Sequence, residues 1–179
     1  GDCQTPALVA RDGSLDWLCW PRFDSRACLA VLLGSEDNGR WKISPALAPM
    51  QVRRRYREDT LILETEFENE QGTVRLVDFM PVREDGDSHV VRLVCGVRGT
   101  VAMSMVLALR FDYGITIPWV TRLPERQGIR AIAGPDVVTL HSPVALTGRA
   151  LKTFAEFSVS AGETLPFVLS YCGSHLAPS

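Results

Sequence analysis

The sequence predicts an all-β fold: a large antiparallel two-sheet β-sandwich with one short helix near its N-terminus. Apolar and polar residues alternate in most segments beyond residue 50, which is the period of a half-buried strand. Turn residues interrupt these segments roughly every eight to twelve positions, the rhythm of a sandwich or barrel. The stretch 101–111 adds a third sign. Val101, Met103, Met105, Leu107, Leu109 and Phe111 share one face, while the other carries Ala102, Ser104, Val106, Ala108 and Arg110. Neither face is polar enough to be fully wet, so both are covered, as between two packed sheets.

Thr5 to Ala10 reads as the first strand. Arg11-Asp12-Gly13-Ser14 then turns the chain, because Asp-Gly supplies the positive φ of a tight hairpin, and Leu15 to Trp20 returns. Pro21 lacks the N–H a ladder needs and ends that strand. Asp24 or Ser25 is placed to cap a short helix from about Arg26 to Leu33, with Gly34 as its left-handed stop. Trp41 to Ser44 and Met50 to Tyr56 follow as strands. Leu61 to Glu68 alternates, with Leu61, Leu63, Thr65 and Phe67 on one face and Glu64, Glu66 and Glu68 on the other. Glu70-Gln71-Gly72 closes a hairpin onto Val74 to Met80, and Pro81 to Asp87 is a polar loop. His89 to Val97 and Val101 to Phe111 read as two strands joined at Arg98-Gly99-Thr100. Asp112-Tyr113-Gly114 is a turn. Ile117 to Thr121 contains Pro118 and can only be an edge strand. Gly128 to Ala133, Val137 to His141, Lys152 to Ser160 and Leu165 to Tyr171 complete about a dozen strands in a single domain, 1–179.

Composition excludes several classes. The chain has 179 residues, 46% of them hydrophobic and 22% charged, with net charge −2. Such a length buries roughly 70% of the unfolded surface and needs no staple. The longest run of like charge is Arg53-Arg54-Arg55, so nothing draws the protein to nucleic acid or an anionic membrane. No apolar run approaches the ~18 residues of a membrane-spanning helix. The first residues, Gly1-Asp2-Cys3, show no basic stretch followed by an apolar core, so no leader is expected, and the missing Met suggests a piece of a longer polypeptide. Cys3, Cys19, Cys28, Cys95 and Cys172 contain no C-x-x-C pair, so neither zinc nor any other cofactor is expected. Reduced, packed thiols suit a cytoplasmic location, and a Cys3–Cys19 bridge across the first hairpin is the alternative.

The chemistry-bearing candidates are few. Trp20-Pro21-Arg22-Phe23-Asp24 combines an aromatic face, which stacks on the C–H face of a sugar, with Arg and Asp, which bond hydroxyls. The competing reading has Trp17 and Trp20 plugging the core while Asp24 caps the helix. Trp119 and Trp41 are further candidates for sugar stacking. Glycoside hydrolysis needs two carboxyl groups roughly 5–10 Å apart. Glu64, Glu66 and Glu68 instead read as a solvated strand face, and Asp78 and Asp112 as turn or cap residues. His89, His141 and His175 lie far apart, and no G-x-S-x-G elbow is present. No catalytic residue is assigned.

The run GDCQTPALVARDGSLDWLCWPRFDS, with Gly39-Arg40-Trp41 after it, resembles the N-terminal domain of bacterial glycoside hydrolase family 15 proteins, the glucoamylase-like and trehalase-like enzymes. Further matches follow in order. They are Arg55-Tyr56-Arg57 with Thr60-Leu61-Ile62-Leu63-Glu64-Thr65, Val77-Asp78-Phe79-Met80-Pro81, Arg110-Phe111-Asp112-Tyr113-Gly114, Pro118-Trp119, Ala133-Gly134-Pro135-Asp136 and Ser174-His175-Leu176. The resemblance implies a β-supersandwich that precedes an (α/α)6 catalytic barrel, whose own two glutamates perform an inverting hydrolysis. This chain would then be the non-catalytic part, with that barrel as its partner and an α-glucoside such as trehalose or a maltooligosaccharide as the substrate. The loop of Trp20, Arg22, Phe23 and Asp24 would help shape the substrate pocket. Two other classes stay open: a free-standing carbohydrate-binding module using Trp119 or Trp41, and a structural domain that sets a homo-oligomeric state.

Overall fold

The computed structural model describes residues 1–83, 87–124 and 127–173. Residues 84–86 of the expected polar loop and the closing Ser174-His175-Leu176 lie outside them. Strands β1 (Ala7–Val9), β2 (Ser14–Cys19), β3 (Ala27–Ala30) and β4 (Arg40–Pro45) come first. They are followed by β5 (Gln51–Tyr56), β6 (Leu63–Asn69), β7 (Gly72–Phe79) and the 21-residue β8 (Ser88–Ala108). After β8 come β9 (Trp119–Arg122), β10 (Gly128–Ala133), β11 (Asp136–His141), β12 (Thr147–Arg149), β13 (Lys152–Ser160) and β14 (Thr164–Gly173). All pairings are antiparallel.

One hydrogen-bonded sheet runs through the fourteen strands of the described residues and divides at β8. The N-terminal half of β8 lies between β7 and β14, in the row β5-β6-β7-β8-β14-β11-β10-β9. Its C-terminal half lies between β13 and β4, in the row β12-β13-β8-β4-β2, and β2 also pairs with β1 and β3. The two halves share one apolar core, in which Leu15, Trp41 and Met105 of one meet Phe67, Leu76 and Leu169 of the other. The sandwich anticipated from alternation is present, together with a β12 that no alternation announced.

Two expected elements differ. Arg98-Gly99-Thr100 is not a turn between strands. The β7–β8 register skips Val97, a bulge, and Gly99 sits at φ +69° where a Cβ would run into the Gln71 carbonyl. A bulge bends and twists a strand without ending it, so one strand crosses from one half to the other. The N-terminal helix is also absent. Among the described residues the helical turns are 3-10 segments at Val31–Leu33, Glu36–Asn38 and Asp112–Gly114. Ala27, Cys28, Leu29 and Ala30 are instead a strand paired to β2 and buried on both faces. Four consecutive apolar residues carry no period, and burial on both sides decided in favour of the strand. Gly34 stands at φ −177°, extended rather than left-handed.

Smaller differences concern exposure. Gly13 does make the tight turn at φ +80°, with its Cα hydrogen directed at the Ile43 carbonyl. Leu61 is exposed and precedes β6, whereas Glu64 on the supposedly wet face is buried. All five cysteines are free, so the Cys3–Cys19 bridge is absent. No helix among the described residues is long and apolar enough to cross a membrane.

Candidate functional site

The segment 20–25 leaves β2 at Cys19 and enters β3 at Ala27, crossing the end of one sheet half. Trp20, joined to Pro21 by a cis peptide, is 4% exposed, and its ring centroid lies 5.9 Å from that of Tyr171. The next three side chains turn outward. Phe23 is 70% exposed, and Arg22 Nε and Nη2 donate to Asp24 Oδ1 and Oδ2 at 3.0 and 3.2 Å. Because no helix follows, Asp24 caps nothing, and Ser25 Oγ accepts from the Arg22 N–H at 3.1 Å.

This exposed triplet is held from behind by residues near the chain's start. The Phe23 N–H donates to the Gln4 carbonyl at 3.0 Å, and Thr5 Oγ1 donates to the Cys19 carbonyl at 2.8 Å. Arg83 donates through Nη2 to the Pro21 carbonyl at 2.5 Å and through Nε to Asp2 Oδ2 at 2.6 Å. Asp2 is buried and also receives the Ser88 hydroxyl and the amides of Gln4 and Thr5. Burial alone would raise its pKa, but these hydrogen bonds, led by Arg83, outweigh burial and lower it. Neither Asp2 nor Arg83 is legible as a loop anchor: Asp2 appears only as part of the N-terminal run and Arg83 only within the polar loop.

Beside Trp20 a cup of about 220 Å³ opens. Trp20 and Phe111 form apolar wall, and Asp112, Asp136 and Arg26 give it polar groups. Arg26 Nη1 donates to Asp112 Oδ1 at 2.6 Å, which lowers the Asp112 pKa, and Thr116 Oγ1 donates to Oδ2 at 3.1 Å. Asp112 and Tyr113 hold left-handed backbone, φ +52° and +59°, as the turn at 112–114 requires. The Tyr171 hydroxyl donates to Asp136 at 2.6 Å; burial and then that carboxylate push the phenol well above its ordinary value. Three segments far apart in sequence, 20–26, 111–112 and 136, thus converge on one cavity.

The same end carries much exposed apolar surface. Asp136 lies opposite Gly173 of β14, Ala133 opposite Asp136, and Ile132 opposite Trp119. Strand neighbours are ~4.8 Å apart, so Trp119 sits about 15 Å from where β14 ends. Trp119 is 75% exposed and Ile115 84%. Trp119 borders a groove of about 550 Å³ floored by Leu107, Leu109 and Ile129, with Arg122, Arg149 and Lys152 at its rim. No Asp, Glu, Asn or Gln lines it among the described residues. Trp41, the other stacking candidate, is fully buried under the Arg92 guanidinium, 5.0 Å from its ring centroid, and offers no face to a ligand.

Every acid weighed above for catalysis is engaged by arginine. Glu64 sits between Arg55 and Arg57, both at 2.8 Å, which lowers its pKa. Glu66 meets Arg53 and Arg75, Glu68 meets Arg98, and Asp78 meets Arg92. His89 Nδ1 and Ser170 Oγ are hydrogen-bonded at 2.8 Å across β8 and β14, a pair that the sequence separates by 81 positions. It lies within the sheet ladder and not on an elbow. The described residues hold no cluster of three or more metal-ligating side chains.

The chain matches the family described as trehalase-like, N-terminal, over residues 1–177. It is 32% identical to a trehalase of Thermoplasma volcanium over 98% of this chain and 29% of that protein. It is 27% identical to a trehalase of Mycolicibacterium smegmatis over 99% of this chain and 30% of that protein. For a trehalase of Mycobacterium tuberculosis the figures are 26%, 95% and 28%. The chain therefore spans less than a third of the length of these relatives.

Proposed function

This chain belongs to the trehalase-like N-terminal family, and from that membership we propose that it is the non-catalytic N-terminal β-sandwich of an α-glucoside hydrolase. The activity, of trehalase or glucoamylase type and of the inverting kind found in glycoside hydrolase family 15, resides in a catalytic barrel elsewhere in the polypeptide. The domain packs on that barrel and presents Arg22, Phe23 and Asp24 at the mouth of its substrate pocket. Trehalose is the first substrate to test, since the relatives named above are trehalases, and a maltooligosaccharide the second.

The observation that carries this reading is the Arg22–Asp24 fork, flanked by exposed Phe23 on a loop that Arg83 and Gln4 tether from behind. An aromatic face beside paired hydrogen-bonding groups, preorganised and turned to solvent, is recognition chemistry without a packing role in this chain. The Trp119 groove supports packing over sugar binding. A groove of apolar side chains with no carboxylate or amide has few acceptors for sugar hydroxyls, whereas exposed contiguous apolar surface marks a protein interface.

In the full-length polypeptide, Arg22→Ala is expected to raise KM or lower kcat on the glucoside while leaving the melting temperature within about 1 °C, as for a surface substitution. Unchanged kinetics with a lowered melting temperature would sink the reading and make the loop structural.

A further inference from the structure

We infer that the cup beside Trp20 binds a single hydroxyl-rich ring, of which one hexose unit is the chemical type. Its volume, about 220 Å³, lies below the roughly 300 Å³ at which pockets begin to take drug-sized ligands, so it accepts one ring and not an oligosaccharide. Trp20 and Phe111 supply the apolar wall on which the C–H face of a sugar ring rests. Asp112 and Asp136 supply oxygens that only accept hydrogen bonds when ionised, so the ligand must donate.

Donors also stand there. Arg26 is exposed beyond its bond to Asp112. The indole N–H of Trp20 is buried and has no acceptor among the described residues. An ammonium ion would meet Asp112 already paired with Arg26 and Asp136 already bonded by the Tyr171 hydroxyl, and an anion would meet two carboxylates. A hydroxyl donates and accepts at once.

The inference rests on the reading above only for the choice of glucose as probe. The test uses the 179-residue chain labelled with ¹⁵N, the Trp20 indole signal being assigned by its loss in Trp20→Phe. Titration with D-glucose to about 100 mM should shift that signal saturably, with a millimolar Kd. Asp136→Asn and Asp112→Asn should each weaken binding at least about tenfold, and Trp119→Phe should leave it unchanged.

Absence of a saturable shift in the folded chain overturns the inference. So does a shift that survives both Asn substitutions, or a stronger response to ammonium chloride than to glucose. Glucose binding beside unaltered Arg22→Ala kinetics would keep the cup and discard the pocket-mouth role of the loop; the reverse pair of results would do the opposite.

Discussion

Arg92 has no solvent exposure and donates through Nε to Asp78, itself 5% exposed, at 2.8 Å. Its other nitrogens reach the carbonyls of Trp41 and Gly13, both at 2.8 Å, in the opposite half of the sandwich. One guanidinium therefore joins β7 and β8 to β4 and to the first tight turn.

Removing one member of such a pair strands the other charge in the interior, at a cost of about 3–5 kcal/mol. Asp78→Asn keeps the shape and removes the charge. Thermal unfolding followed by circular dichroism should show a fall of roughly 10 °C, given about 2–4 °C per kcal/mol at this chain length. A fall under about 2 °C would mean that Arg92 is adequately held by the two carbonyls alone.

Arg83→Ala should act locally. It removes both the link to Pro21 and the partner of Asp2. Hydrogen exchange at the Phe23 amide, which is bonded to Gln4, should accelerate about tenfold or more, as expected when roughly 1–3 kcal/mol is lost nearby. Exchange at the Val94 and Met105 amides in β8 should accelerate much less. Uniform acceleration everywhere would assign Arg83 to global stability.

The sheet was largely legible because alternation and turn residues are local signals. Gly128 to Ala133 and Lys152 to Ser160 have the expected bounds. The missed features depend on partners distant in sequence. Ala27 to Ala30 is a strand only because β2 pairs with it and both faces are covered. Trp41 reads as a platform in sequence because a tryptophan carries no mark of its depth, yet it is fully buried. The loop triplet could be named from composition, but its anchors could not, since Asp2 and Arg83 meet across 81 positions. The cup is equally hidden: Asp112 reads as a turn or cap residue and Asp136 only as part of a motif, while their convergence is purely tertiary.

Acid should weaken the fold in a defined window. Asp2, Asp112 and Glu64 all have folded-state pKa values below their unfolded values of 3.8, 3.8 and 4.5. Their stabilisation is complete above those unfolded values and is lost as pH falls through the folded ones. The urea midpoint should therefore drop steeply below about pH 4, with none of the change between pH 6 and 8 due to these groups. Glu64→Gln should flatten the acid limb, and an unaltered limb would show that Arg55 and Arg57 gain nothing from Glu64.

The Trp119 groove predicts self-association of the chain when nothing covers it. Sedimentation at rising concentration should show dimer formation that Trp119→Ser abolishes with secondary structure retained. A chain that stays monomeric at about 1 mM would indicate that this surface is too small or too broken to adhere.

β8 gives the molecule its cooperativity. A strand hydrogen-bonded to β7 and β14 along one half and to β4 and β13 along the other cannot be withdrawn from one sheet without opening both. The halves are thus expected to unfold as a single unit. Several of its ladders join segments more than 40 residues apart, as where Trp41 meets Leu107 and Thr164 meets Cys95. Loop closure must precede such contacts, so this chain belongs among slow folders, on the millisecond-to-second scale of non-local β topologies.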